Sequence, residues 1–209
     1  MVVIHYTAMV SADAACRTLC NPDTEVSAHY LIDEDGTVRS LVAEGMRAWH
    51  AGAGQWGDVV DVNSRSIGIE LANPGACPFP MAQMDTLSVL LHGIFARWAI
   101  NPARIIGHSD MAPGRKIDPG ARFDWRRLWL EGGGVWPDCM ATHDLPASAK
   151  VFRQMADRFG YRCVDDDLLL RVFRMRFRPW VDGPLDTVDM QMITDLATRF
   201  PVDASSITA

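Results

Sequence analysis

An α/β fold, with a mixed central sheet flanked by helices and followed by a small three-helix domain, is what this sequence predicts, and three observations carry the prediction. Short runs of β-branched and aromatic residues alternate with helix-period segments over residues 1–130. A Gly- and Pro-rich stretch, Glu131-Gly132-Gly133-Gly134 followed by Trp136-Pro137 and Pro146, has the composition of a linker. Beyond it, residues 147–209 carry only helical patterns. The expected division is therefore a first domain over 1–130, a linker over 131–146 and a helical domain over 147–209.

In chain order, Val2 to Tyr6 reads as a strand, with His5 at its end, and Ser11 to Cys20 as a short helix opened by a Ser cap. Ser27 to Asp33 and Thr37 to Val42 are expected to be strands joined at Asp35-Gly36, a strong hairpin signal. Arg47 to Asp61, rich in Gly and Trp and without a period, reads as a loop whose aromatics and His50 line a cleft. Ser66 to Leu71 is a compact strand that delivers Glu70 near its end. Met81 to Ala99 is the longest helix, with Leu87, Leu90, Leu91, Ile94, Phe95 and Trp98 spaced as one buried face. A brief strand over Arg104 to Ile106 leads into a kinked loop, and Asp124 caps a helix that runs to Leu130. In the last part, Val151, Phe152, Met155 and Phe159 share one helical face, and Leu169, Val172, Phe173 and Met175 to Phe177 another. A third helix begins near Asp186 and buries Met190, Ile193, Leu196 and Phe200.

Composition narrows the function classes. With 209 residues, 48% apolar and 22% charged, the chain has enough material for a real core plus a small second unit. A net charge of -6 and the lack of a basic cluster interleaved with aromatics argue against a nucleic-acid partner. No apolar run is long enough for a transmembrane segment, and the N-terminus shows no charged region leading into an apolar one, so no export signal is read. The five cysteines are scattered and odd in number, which implies no disulfide framework.

The chemistry concentrates in Gly107 to Gly120, GHSDMAPGRKIDPG, where Pro113, Gly114, Pro119 and Gly120 preclude one continuous helix. The chain can then fold back and bring His108 near Asp118, with Lys116 two residues away and on the same side of an extended segment. An imidazole and a carboxylate suit zinc, and His5 is the best candidate for a third ligand. From residue types alone, a capped turn with a solvated ion pair is equally open.

VVIHYTA, VSAHYLIDEDGTV, RAWHAG, NSRSIGIELAN and GHSDMAPGRKIDPG occur in that order, and together they resemble the zinc-dependent N-acetylmuramoyl-L-alanine amidases of the amidase type 2 family, which are similar in fold to peptidoglycan recognition proteins. The resemblance implies Zn2+ held by His5, His108 and Asp118, with Glu70 as general acid/base and Lys116 facing the oxyanion. It implies substrate contacts or support of the metal ligands for His29 and His50, and cleft positions for Trp49 and Asn73. The implied reaction is hydrolysis of the amide between N-acetylmuramic acid, in its ordinary or 1,6-anhydro form, and L-alanine, on peptidoglycan or muropeptides.

FRMRFRPWVDGPLD, preceded by RFGY, resembles the small helical peptidoglycan-binding domain of bacterial wall hydrolases. A wall-binding unit favours the periplasm or cell envelope, with the cytoplasm as the alternative for an enzyme acting on small muropeptides. Two other classes stay in view: a non-catalytic recognition module, against which the full set of site residues counts, and a zinc peptidase acting within the stem peptide.

Overall fold

A computed structural model describes residues 1–138 and 145–203. Five strands form one mixed sheet: β1 (Val2–Tyr6), β2 (Tyr30–Ile32), β3 (Val38–Ser40), β4 (Ile67–Leu71) and β5 (Ile105–Gly107), in the order β3-β2-β4-β1-β5. Only the hairpin pair β2/β3 is antiparallel; β1 runs parallel to both β4 and β5, and β2 parallel to β4. The hairpin turns at Gly36, whose φ of 89° is costly for any residue with a Cβ. Both hairpin strands are shorter than the sequence pattern suggests.

Alternation along the strands sorts the two faces of the sheet. Val2, Ile4, Ile67, Ile69, Leu71 and Ile105 pack on one face against Met84, Leu87, Leu91 and Ile94 of α2 (Met81–Arg97) and against Trp125 and Leu128 of α4 (Trp125–Leu130). Gln83 docks the start of α2 on the sheet end, donating from its buried amide to the carbonyls of Ile32 and Ala72. The buried face of α2 is narrower than its apolar residues predict. Trp98 lies beyond the helix and is 43% exposed, because its indole N–H donates to the Glu44 carboxylate at the surface. α1 (Ala12–Leu19) is capped by Ser11 and covers Leu31 near the hairpin.

The opposite face presents Val3, Ile106 and, further along the same row, His5 and Glu70. Val3 and Ile106 belong to one hydrophobic cluster with Trp56, Met111, Phe152, Phe159, Phe173, Phe177, Ile193 and Leu196. The last six come from α5 (Ala149–Phe159), α6 (Asp166–Phe177) and α7 (Thr187–Arg199), so the helical part shares its core with the sheet. Within the stretch expected to be a linker, Val135 is buried in that cluster and Trp136 packs on Phe177 with ring centroids 5.6 Å apart; its residues 139–144 lie outside the described residues. Val151, assigned by periodicity to the buried face of α5, is 40% exposed; Phe152, Ala156 and Phe159 fill that face.

Candidate metal centre and active site

Parallel pairing places His5 beside Glu70, and Ile4 beside Gly107, so the residue that leaves β5 is next to His5. That residue, His108, opens the one-turn helix α3 (His108–Met111), and the Ser109 N–H donates to the Asp118 carbonyl at 2.9 Å. The loop therefore folds back as its Pro and Gly residues require. His108, His5 and Glu70 stand in a row across three neighbouring strand ends, with Asp118 closing over the first two.

Three donor atoms converge there. His5 Nδ1 lies 2.9 Å from His108 Nδ1 and 2.9 Å from Asp118 Oδ2, and His108 Nδ1 lies 3.0 Å from the same oxygen. His5, His108 and Asp118 are all buried. Burial, reinforced by the charge of His108, lowers the His5 pKa to about 4, so at neutral pH the ring is uncharged and has a lone pair to offer. A tetrahedral ion with bonds of about 2.0–2.1 Å spaces its ligands ~3.3 Å apart, a few tenths of an ångström wider than this triangle. Two imidazole nitrogens and one carboxylate oxygen thus fit a metal in both chemistry and size, and they leave one side open for a substrate.

The triangle lies in a cavity of about 500 Å³ lined by Tyr6, Leu19, Val26, Trp49, His50, Glu70, Arg115, Lys116 and Ile117 among others. Glu70 is half-buried there and its Oε2 has no hydrogen-bond partner. Desolvation first, then the charge of Asp118, raises its pKa to about 8, partly offset by Lys116. Lys116 is half-buried in the same cavity and forms no ion pair among the described residues. A second cavity of about 530 Å³, lined by Cys20, Asn21, Pro22 and Glu25, shares Leu19, Val26, Ser27 and Trp49 with the first, which makes an elongated cleft with the donors at one end.

The remaining sequence-selected residues divide. Trp49, 57% exposed, lines both cavities, with the Arg47 guanidinium 4.7 Å above its ring. His50 is buried against His5, its Nδ1 3.0 Å from His5 Nε2. His29 is not at the cleft: it is fully buried, with Nδ1 accepting from the Gly68 N–H and Nε2 facing the Met46 carbonyl. Asn73 is buried too, and its amide is used inside its own loop, to Gly75, Cys77 and Pro78. The resemblance implies substrate contact or ligand support for His29 and a cleft position for Asn73; in the structure the His29 ring is bonded to the backbone at a strand entry and the Asn73 amide closes its own turn. Sequence reading passed over Arg115, whose Nη2 donates to the carbonyls of Ala51 and Ala53, and Asn63 and Ser66, which support the His50 segment. No signal short of the tertiary contacts would have selected them.

Comparison with known proteins follows the same geometry. The profile of the Amidase_2 family, N-acetylmuramoyl-L-alanine amidase, matches residues 1–121. The N-acetylmuramoyl-L-alanine amidase AmiD of Escherichia coli is 35% identical over 97% of this chain and 84% of its own length. The 1,6-anhydro-N-acetylmuramyl-L-alanine amidase AmpD of Haemophilus influenzae is 43% identical, over 49% of this chain and 56% of its own. Among solved structures, the complex of E. coli AmiD with anhydro-N-acetylmuramic acid-L-Ala-D-gamma-Glu-L-Lys superimposes with a TM-score of 0.88 at 32% identity, covering 97% of this chain and 90% of that one. AmpDh3 from Pseudomonas aeruginosa in complex with anhydromuramic pentapeptide gives 0.87 at 33% identity, covering 96% and 92%. The likeness to AmiD and AmpDh3 runs through the helical part; the likeness to AmpD covers half the chain.

Proposed function

The chain belongs to the N-acetylmuramoyl-L-alanine amidase family, and from that premise we propose zinc-dependent hydrolysis of the amide between muramic acid and L-alanine, carried by His5, His108, Asp118, Glu70 and Lys116. The observation that carries this reading is the convergence of three metal-type donors beside a carboxyl oxygen that has no partner. It is an amidohydrolase of muropeptides, and the substrate class we assign is the one named in the complexes of its relatives, an anhydro-muramyl peptide.

His5, His108 and Asp118 would hold the zinc, two neutral nitrogens and one carboxylate being the donor set of a catalytic site with an open position. When bound, zinc supplies Lewis acidity and makes hydroxide available near neutral pH. Glu70 moves the protons: its carboxylate takes one from the attacking water as the water oxygen adds to the lactyl carbonyl carbon, and returns one to the alanine nitrogen as the C–N bond breaks. Burial already holds the Glu70 carboxyl above its usual range, and a neighbouring cation would draw it back toward its charged form, so one group can both take and return a proton near neutral pH. Lys116, unpaired and half-buried, offers its ammonium to the oxygen that becomes negative in the transition state, where a fixed charge in a partly dry site counts most. The products are the free lactyl carboxylate and a peptide with a free α-amine on L-alanine.

We further assign residues 1–130 to the catalytic domain, 131–146 to a linker that is anchored at Val135 and Trp136 on the shared core, and the helices beyond to a wall-facing domain that packs on the sheet and holds polymeric substrate near the site. An acting place in the cell envelope follows from that assignment, and among the described residues no helix is long and apolar enough to cross a membrane. The test is a digest of an anhydro-muropeptide and of purified sacculi resolved by mass spectrometry. Intact muramic acid plus peptide beginning at L-alanine is expected, and shortened stem peptides or released D-alanine would overturn the amidase reading in favour of a peptidase.

A further inference from the structure

An imidazole that offers Nδ1 to a metal must carry its single proton on Nε2, so something must accept that proton. For His108 the acceptor is the Ala51 carbonyl, 2.8 Å from Nε2, and a carbonyl can only accept. For His5 the partner is His50 Nδ1, 3.0 Å from Nε2, and either ring could donate. The ambiguity is removed one step further out. The Ser66 hydroxyl donates its proton to the Val62 carbonyl at 2.5 Å, which leaves Oγ an acceptor toward His50 Nε2 at 3.2 Å. A neutral His50 then carries its proton on Nε2 and presents a lone pair at Nδ1, which takes the His5 Nε2–H. The three bonds run in one direction, from His5 through His50 and Ser66 to a backbone carbonyl, and all three side chains are buried.

Both acceptors belong to one dipeptide, His50-Ala51. Its two backbone N–H groups donate to a single atom, Asn63 Oδ1, at 3.1 and 2.8 Å, and Asn63 is itself buried. The His50 ring lies on β4 where Gly68 leaves room: a Cβ there would stand 2.3 Å from His50 Cγ and 2.6 Å from Nδ1. Arg115 Nη2 occupies the Ala51 carbonyl as a second donor at 2.6 Å.

We propose that the His50-Ala51 dipeptide, clamped by Asn63 and seated on Gly68, is the positioning element that fixes the tautomer and orientation of both metal-facing imidazoles. The inference rests on the metal reading of His5 and His108 given above, and assigns His50 to support of the ligands rather than to the substrate. Outer partners of this kind change metal affinity by about 10- to 100-fold when lost.

Two measurements test it. In the zinc-loaded, otherwise unaltered protein, long-range 1H–15N NMR of the histidine rings should show the Nε2–H tautomer for His50 as well as for His5 and His108; an Nδ1–H form of His50 overturns the proposal. Zinc affinity, read by competition with a chromophoric chelator, should weaken about 10- to 100-fold in His50→Leu and in Asn63→Ala. His50→Gln, which can accept from His5 and donate to Ser66, should recover much of the loss. Wild-type affinity in both His50→Leu and Asn63→Ala, with circular dichroism unchanged, refutes the positioning role. Failure of the unaltered protein to bind zinc, or zinc retained by His108→Ala, strikes instead at the metal reading beneath it, so the two failures are distinct.

Discussion

Asp110 and Asp118 are both buried and belong to the same Gly107–Gly120 stretch, Asp110 within the one-turn helix that His108 opens and Asp118 after it, yet their surroundings are opposite. Asp110 is surrounded by donors. Its Oδ2 accepts from the Gly107 N–H at 2.8 Å and from Arg176 Nη1 at 2.7 Å, and its Oδ1 accepts from the Tyr161 hydroxyl at 2.8 Å. Asp118 Oδ2 instead faces two ring nitrogens whose protons are committed elsewhere, so three lone pairs point at one spot. A carboxylate with its full complement of donors locks a structure, and one left among acceptors is kept for a cation. The first bolts α6 and the Tyr161 segment to the sheet; Arg176 also donates to the Ile105 carbonyl and lies 4.3 Å above Trp125. The second is the candidate metal centre.

The contrast is sharpest where removal of one group should cost everything. His108→Ala should bind no zinc and show no amidase activity while its melting curve stays cooperative, because the Ala51 carbonyl that the ring bonds keeps Arg115 as a second donor. Metal analysis of the purified variant checks it, and a retained equivalent of zinc would break the distinction. Glu70→Gln should keep zinc and fold but lose on the order of 10²–10⁴ in rate, the range for a positioned acid/base, measured on an anhydro-muropeptide. Lys116→Ala should follow with a loss of roughly 10²–10³.

The Asp110 side predicts losses of stability rather than of chemistry. Arg176→Met leaves Asp110 buried with the Gly107 and Tyr161 hydrogen bonds but without the Arg176 bond and its counter-charge, a change worth about 3–5 kcal/mol in comparable pairs. Urea denaturation should show this loss, with zinc stoichiometry unchanged in the fraction that remains folded. If stability is untouched and metal binding falls instead, the two aspartates do not divide their roles as described.

The same contrast explains what could be read from the chain. His5, His108 and Asp118 were legible because motif order and strand ends reveal them, and the strand and helix order of residues 1–130 followed from period alone. Arg174 and Arg176 were not legible: a helix with the pattern RVFRMRF reads as apolar face and charged face. Both arginines are buried because their partners, Asp189 and Asp110, come from distant segments. Likewise nothing local tells that His29 is fully buried or that Trp98 turns outward to Glu44. Period describes one element at a time, and these residues are placed by charges and carbonyls on another.

The smallest expected effect concerns pH, and it separates the candidate site from the rest of the core. In metal-free protein, burial raises the Glu70 pKa from 4.5 to about 8, so between those values the native state keeps a proton that the unfolded chain has released. Stability from this group is complete below pH 4.5 and is lost as pH rises through 8. His5 acts in the other direction: its pKa falls from 6.5 to about 4, so its contribution is complete above 6.5 and is lost as pH drops through 4. His50, lowered by burial as well, adds to that acid-side loss. From pH 6.5 to 8 the histidine contributions are flat, and the Met1 ammonium, lowered from 8.0 to about 6 first by burial, titrates equally in the unaltered protein and the variant, so the difference between the two isolates the Glu70 slope, something on the order of 1 kcal/mol across the window. Glu70→Gln removes a titrating group without removing volume, so its stability relative to the unaltered protein should rise steadily from pH 6.5 to 8, in chelator and by urea denaturation. Parallel curves would mean that the Glu70 carboxyl is not desolvated, and with that the argument for its tuned proton transfer would fail, whereas a converging pair after zinc is added would show the metal drawing the same group back toward its charged form.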